Sequence, residues 1–541
     1  MAFRGWNYGD MFDAVAKVVA PDRPAVIHGN RVITWGEFDR RTNNLARNLI
    51  VGGAQPDDKL AFYLRNHSAY SEGLVAAFKA RQVHVNVNYR YVADEVHYIF
   101  DNSDATTVIF GREFSPIVAE LYDRLPKVRR WLVVEDGAQE TVPAWAESFE
   151  ALAAKGDGKR LGITRSPNDL LFIYTGGTTG MPKGVMWRHD AQRRALLNPA
   201  LVERLPQDLD DHLENVRASG RGPISVPACP LMHGTGLVTA MSALFAGGTV
   251  VTLESANFDA QELWAAVDQH RVTQIAISGD AFSRPMLRAL EEAAGRYDVS
   301  CVVSIVSSGI MWSSEVKEEL LHHLPQATLL DSFGSTEAVG FGLSVMTAES
   351  KAQTARFQIG KDITVFSVDG RQIPPGSGEA GLIASYGPLP EGYYKDPQKT
   401  AETFKMIDGV RYSMPGDFCT VEADGTLTLL GRGSGCINTA GEKVFPEEVE
   451  EVLKLHPDVE DALVVGVPDN RWGQAVTGVV ELREGAVLDE AALRVHVRKH
   501  LAGFKTPKRL IAVPRMLRSP NGKADYKGVR ELALRELGIT A

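Results

Sequence analysis

Short apolar runs rich in Val and Ile alternate along the chain with longer stretches in which apolar residues return every three or four positions. The short runs suit strands buried on both faces, and the three-to-four spacing marks the inward stripe of a helix. Strands are predicted over 171–174, 248–253, 274–278 and 301–307, and helices over 8–20, 35–52, 260–270 and 284–296. Strands interleaved with helices are the order of a largely parallel sheet with crossover helices, so the fold class is α/β. Near the C-terminus the style changes. A hairpin pattern over 421–427 runs into the glycine-dense Gly431-Arg432-Gly433-Ser434-Gly435, which marks a domain boundary. The chain is therefore expected to divide into 1–431, a large domain of parallel-sheet layers, and 432–541, a small α/β domain opening on a helix over 445–456 with Pro446 in its first turn. The acidic, turn-rich segment 203–212 is expected to be a solvated surface loop.

Length supports more than one core, since 541 residues exceed the roughly 250–300 that a single core accommodates. An apolar share of 44% and a charged share of 23% are those of a folded globular chain rather than a disordered one. A net charge of −10 argues against a surface built for nucleic-acid phosphates. Cys229, Cys301, Cys419 and Cys436 are too dispersed for a metal-ligand pair or a disulfide ladder. The N-terminus lacks the basic and apolar segments of a secretory signal, and no run of 18 apolar residues offers a membrane span. A cytoplasmic location is expected, with peripheral lipid contact left open.

The densest chemistry follows the predicted strand at 171–174: Thr175, Gly176, Gly177, Thr178, Thr179 and Gly180, then Lys183. Glycines that let backbone N–H groups approach, rotatable hydroxyls and a cation are what a phosphate grip requires. Pro182 before Lys183 and Gly184 after it do not fit the Walker pattern of P-loop NTPases. No Gly-x-Ser-x-Gly elbow supports a hydrolase.

This segment resembles the phosphate-binding signature of the ANL adenylating superfamily, whose members include acyl-CoA synthetases, luciferases and peptide-synthetase adenylation domains. Gly176 stands where the family usually has Ser. Further matches follow in the family's order. Ser308, Gly309 and Ile310 resemble the adenine-side turn, and Asp331, Ser332, Phe333, Gly334, Ser335, Thr336 and Glu337 the second nucleotide motif. The resemblance implies that Thr336 contacts phosphate and Glu337 holds Mg²⁺, a role suited to a hard carboxylate oxygen. It assigns Asp417, in Met414-Pro415-Gly416-Asp417, to the ribose, Arg432 to ribose and phosphate, and Lys523, after Asn521-Gly522, to the bond between carboxylate substrate and α-phosphate. His233, in the segment 230–236, matches the gate of the acyl channel, with a buried structural histidine as the alternative reading of the residue itself.

Three inferences follow from the same resemblance. The small domain is mobile, with Ser434 at the hinge position. Ala440, Gly441 and Glu442 line a pantetheine tunnel, with Gly441 letting pantetheine pass. The substrates are then ATP, coenzyme A and a small-molecule carboxylic acid, with homodimers known in the family. The chain ends too soon after Lys523 for a carrier domain, which favours a stand-alone acyl-CoA synthetase. A fatty acyl-AMP ligase and a luciferase-like enzyme share the motifs and remain alternatives. The segments 181–188 and 436–443 look most like those of bacterial ligases for fatty acids and sterol side chains.

Overall fold

The computed structural model describes residues 4–175, 181–197, 205–350, 355–432, 435–439, 442–469, 473–518 and 523–539. Three sheets organise them. In the first, Val83–Asn86, Lys59–Tyr63, Ala105–Gly111 and Arg130–Val134 run parallel, Leu170–Thr175 joins beside Val83–Asn86, and Lys183–Arg188 closes back antiparallel. The second holds a parallel group, Thr249–Thr252, Ile224–Pro227, Gln274–Ile277, Ser304–Ser308 and Thr328–Ser335. It then turns antiparallel through Ala338–Met346 and Arg356–Ile359 into a β-rich lobe.

Helices fill the space between these two sheets. Tyr8–Val18, Trp35–Val51, Ser68–Lys79 and Gly234–Phe245 contribute Tyr8, Phe12, Trp35, Phe78 and Phe245 to one continuous core that also takes Leu60 and Ile173 from the first sheet and Val26 and Val250 from the second. Local chemistry starts these helices where the sequence predicts. The Thr34 hydroxyl accepts from the Glu37 N–H at 3.3 Å, and the Asn7 side chain accepts from Asp10 N–H at 3.2 Å, each satisfying a donor that a helix N-terminus leaves open.

The third sheet, with Val459–Asp469 and Gly473–Leu482 at its centre, forms a separate C-terminal unit with cores on both faces. Its first helix, Pro446–Lys454, carries Pro446 in the first turn as expected. The unit touches the large one through Arg483, which donates to Glu315 at 3.1 Å. Gly431, at φ +119°, lies so close to the Glu447 carboxylate that a Cβ would come within 2.0 Å of it. A side chain here would have to displace the Glu447 carboxylate and adopt a backbone conformation that favours glycine.

Three expectations need correction. The strand predicted from 301 begins at Ser304, because Cys301 and Val302 still belong to the preceding turn. The helix predicted from 284 starts at Asp280 and accommodates Pro285 in its second turn. The acidic segment is not a loop throughout. Asp208 caps a helix, Leu209–Ala218, whose His212, Leu213 and Val216 are buried; the His212 ring meets Trp6 edge-on and its Nε2 bonds the Phe245 carbonyl at 3.0 Å.

Candidate active site

In open α/β sheets, ligands bind beyond the carboxyl ends of the strands. A cavity of about 390 Å³ opens there, between the two large sheets. Thr175 ends one parallel strand, Asn86 its neighbour and Ser308 a strand of the second sheet, and Ser332, Gly334 and Ser335 close another. Thr336 and Glu337 form the tip of the hairpin between Thr328–Ser335 and Ala338–Met346. His233, capping the helix Gly234–Phe245, and Lys523, from the C-terminal unit, complete the lining. Residues far apart in sequence and drawn from both units thus share one space.

Glu337 is buried, and Tyr393 donates to its Oε1 at 2.7 Å, whereas Oε2 makes no hydrogen bond to a described residue. One carboxylate oxygen is thus fixed, and the other has no hydrogen-bond partner among the described residues. The indole Nε1 of Trp187 donates to the Thr336 carbonyl at 2.9 Å. Trp187 and Tyr393 lie on the paired strands Lys183–Arg188 and Gly392–Tyr393, so one sheet edge grips the tip that the other sheet presents. Burial, and next the positive charge of Lys523, push the His233 imidazole down to about 3, which keeps it neutral. Among the described residues its buried Nε2 has no hydrogen-bond partner, so it can serve a ligand.

Asn86 was missed by sequence reasoning. Its carboxamide accepts from Tyr174 N–H at 2.6 Å and donates to the Tyr174 carbonyl at 2.9 Å and to the Met232 carbonyl at 2.7 Å. The strand carrying Asn86 stops there, and the side-chain amide continues its ladder, tying the approach to the phosphate segment to the residue before His233. Only the tertiary fold reveals this.

Several predicted residues lie elsewhere. Strand alternation turns Asp331 and Phe333 away from the cavity: Asp331 accepts from Lys317 at 2.7 Å, and the Phe333 ring packs on Phe341 and Phe357 at 5.2 and 5.3 Å. Ile310 is not among the lining residues, while Gly309, at φ +88°, is. Lys183 is ion-paired with Asp396, which also caps the helix Pro397–Thr403. Asp417 is buried and sits directly opposite Arg432 across two antiparallel strands, putting the two expected ribose residues side by side. For Arg432 and Glu442 the backbone alone is described. Gly176, Gly177, Thr178, Thr179, Gly180, Ser434, Ala440 and Gly441 lie outside the described residues. Among those described, no group of three His, Cys, Asp or Glu could hold a metal, and no helix is long and apolar enough to cross a membrane.

Comparison with known proteins gives this geometry a family. Residues 12–394 match the AMP-binding enzyme model, and 448–523 match the AMP-binding enzyme C-terminal domain. A medium/long-chain-fatty-acid–CoA/3-oxocholest-4-en-26-oate–CoA ligase of Mycolicibacterium smegmatis is 41% identical over 534 residues, covering 97% of this chain and 96% of the relative. A 3-oxocholest-4-en-26-oate–CoA ligase of Rhodococcus rhodochrous is 41% identical over 535 residues, covering 97% and 95%. Among solved structures, ATP-bound MatB from Rhodopseudomonas palustris superposes with a TM-score of 0.81 at 23% identity, over 98% of this chain and 100% of that one. With family models matched in both units and relatives aligned along nearly its whole length, the chain belongs to the AMP-binding enzyme family.

Proposed function

We propose that the protein is an AMP-forming acyl-CoA synthetase: a carboxylic acid attacks ATP to give acyl-AMP and pyrophosphate, and the thiol of coenzyme A then displaces AMP to give the thioester. The observation that carries this reading is the meeting of Thr175, Thr336, Glu337, His233 and Lys523 at one cavity. The names of the full-length relatives support an acid of the medium- or long-chain fatty or sterol side-chain type.

No protein nucleophile is needed, because the carboxylate itself attacks the α-phosphorus and catalysis rests on positioning and charge neutralisation. In this reading Lys523 draws the carboxylate and α-phosphate together, and Thr175 and Thr336 donate to phosphate oxygens. Asp417 accepts from the ribose hydroxyls beside Arg432. Lys183 exchanges Asp396 for phosphate. Neutral His233 lines the acyl entrance, its Nε2 available as a hydrogen-bonding partner. Mg²⁺ fits the oxygen that Tyr393 leaves open on Glu337, since this cation takes one or two carboxylates together with substrate phosphates. When bound, it neutralises charge developing on the phosphates.

The domains 1–431 and 432–541 would then alternate about Ser434, presenting Lys523 for the first step and Gly441 for the second. A cytoplasmic location and a homodimer belong to the same reading. The test is a panel of carboxylic acids assayed for AMP with and without coenzyme A. Thioester formed in step with AMP is expected; AMP release that ignores the thiol would assign the chain to acyl-AMP formation alone.

A further inference from the structure

Lys523 lines the cavity from a backbone that is pinned on both sides. Arg518 lies opposite Ala524 in an antiparallel bridge, and the Asp525 N–H donates to the Leu517 carbonyl at 3.2 Å. Upstream of the lysine, the Arg518 guanidinium forks onto Asp461, Nε donating to Oδ2 at 2.6 Å and Nη2 to Oδ1 at 2.8 Å. Downstream, the Tyr526 hydroxyl donates to Glu450 Oε2 at 3.2 Å, while Glu450 Oε1 accepts from the Val464 N–H at 2.9 Å. Glu450 is buried, so its carboxyl depends on these partners. Both anchors end on the same two elements: Asp461 and Val464 share the strand Val459–Asp469, and Glu450 lies on the helix Pro446–Lys454 packed against it.

The start of that helix meets the large unit beside the expected ribose site. The ring of Phe445, its N-cap residue, packs on Phe418 at 5.3 Å, and Phe418 directly follows Asp417. Glu447, the residue that crowds Gly431, and Glu450 stand three positions apart and so share one face of the helix. One rigid element thus runs from the strand of Asp417 to the anchor of Lys523. Packing alone does not call for polar anchors here, since exchanging a buried ion pair for apolar side chains is often neutral. A bidentate fork adds fixed direction as well as distance. Direction matters because the flexible four-carbon stem of a lysine places its charge only as well as its backbone is placed.

We propose that Arg518 and Tyr526 are positioning residues for Lys523: held by Asp461 and Glu450, they set the place of its ammonium for acyl-AMP formation and are dispensable for thioester formation. The inference rests on the acyl-CoA synthetase reading, and the experiment separates the two.

Tyr526→Phe deletes one hydroxyl, and Arg518→Lys keeps the charge but not the fork. ATP–pyrophosphate exchange with octanoic or palmitic acid, and thioester formation from synthetic acyl-AMP and coenzyme A, are measured on both variants alongside melting temperature. The expected result, in at least one variant of wild-type melting temperature, is a fall of about tenfold or more in exchange with thioester formation kept within about twofold, because a misplaced lysine harms only the step that uses it. Unchanged exchange in both variants overturns the proposal. So does an equal loss in both steps, or a loss of exchange only where the melting temperature also falls, which is what a purely structural role would give. Wild-type enzyme that shows no exchange with these acids or any other would instead overturn the function on which the proposal rests.

Discussion

Replacing Asn86 with alanine removes no predicted catalytic group, yet it should damage both stability and turnover. Three hydrogen bonds at 2.6, 2.7 and 2.9 Å disappear, and a backbone N–H and two carbonyls of Tyr174 and Met232 lose a buried partner. At about 1 kcal/mol net per bond the loss is about 3 kcal/mol, and it grows where a stranded group stays dry. The kinetic effect comes from position. Tyr174 leads into the phosphate segment and Met232 into His233, so loosening both displaces opposite walls of one cavity; an ångström of misplacement can cost on the order of a hundredfold in rate. Urea denaturation measures the first effect and ATP–pyrophosphate exchange the second. Asn86→Asp keeps the acceptor for Tyr174 N–H but loses both donors, so it should fall at least as far as alanine. A stability change below about 1 kcal/mol, with exchange within twofold of wild type, would refute the assignment of the clamp.

Lys523→Ala should abolish acyl-AMP formation yet spare thioester formation from synthetic acyl-AMP, and Gly441→Leu should do the reverse; equal losses in both steps would sink domain alternation. Glu337→Gln should lower turnover strongly and raise the Mg²⁺ requirement. Exposed Glu318 is the control for it, and equal effects at 337 and 318 would count against the metal assignment. Burial, the leading cause at each, holds His67, His84, His189 and His233 at about 3. The unfolded chain takes up these protons below roughly 6.5 while the folded chain does not, so stability should fall as pH drops from 6.5 toward 3, by up to about 1.4 kcal/mol per pH unit for each histidine. Denaturation midpoints that stay level between pH 7 and pH 5 would contradict this.

How much could be read from one dimension depends on the kind of contact involved. The strand at 171–174 and the helix at 260–270 were legible because their burial follows directly from residue order. The helix Leu209–Ala218 also left a trace, with Leu209, Leu213 and Val216 at helical spacing after the capping Asp208, but its acids masked the stripe. Asp331 shows the limit of motif reading: it adjoins Ser332, yet a period of two sends its carboxylate to Lys317 behind the sheet. Asn86, Trp187 and Tyr393 left no signal, since their partners lie 88, 149 and 56 residues away and nothing local says which strand ends beside which. Residues expected to touch a ligand were suggested by chemistry; those that hold them in place were not.

The central claim, that the carboxylate of the substrate attacks the α-phosphorus of ATP, is tested most directly by isotope transfer. An active acid labelled with ¹⁸O in its carboxylate is turned over with ATP, Mg²⁺ and coenzyme A, and the nucleotide and pyrophosphate are weighed by mass spectrometry. When the thiol displaces the acyl group, the bridging oxygen leaves with the nucleotide. The account therefore predicts one labelled oxygen in AMP and none in pyrophosphate. Formation of ADP, or label found in released phosphate and not in AMP, would contradict it.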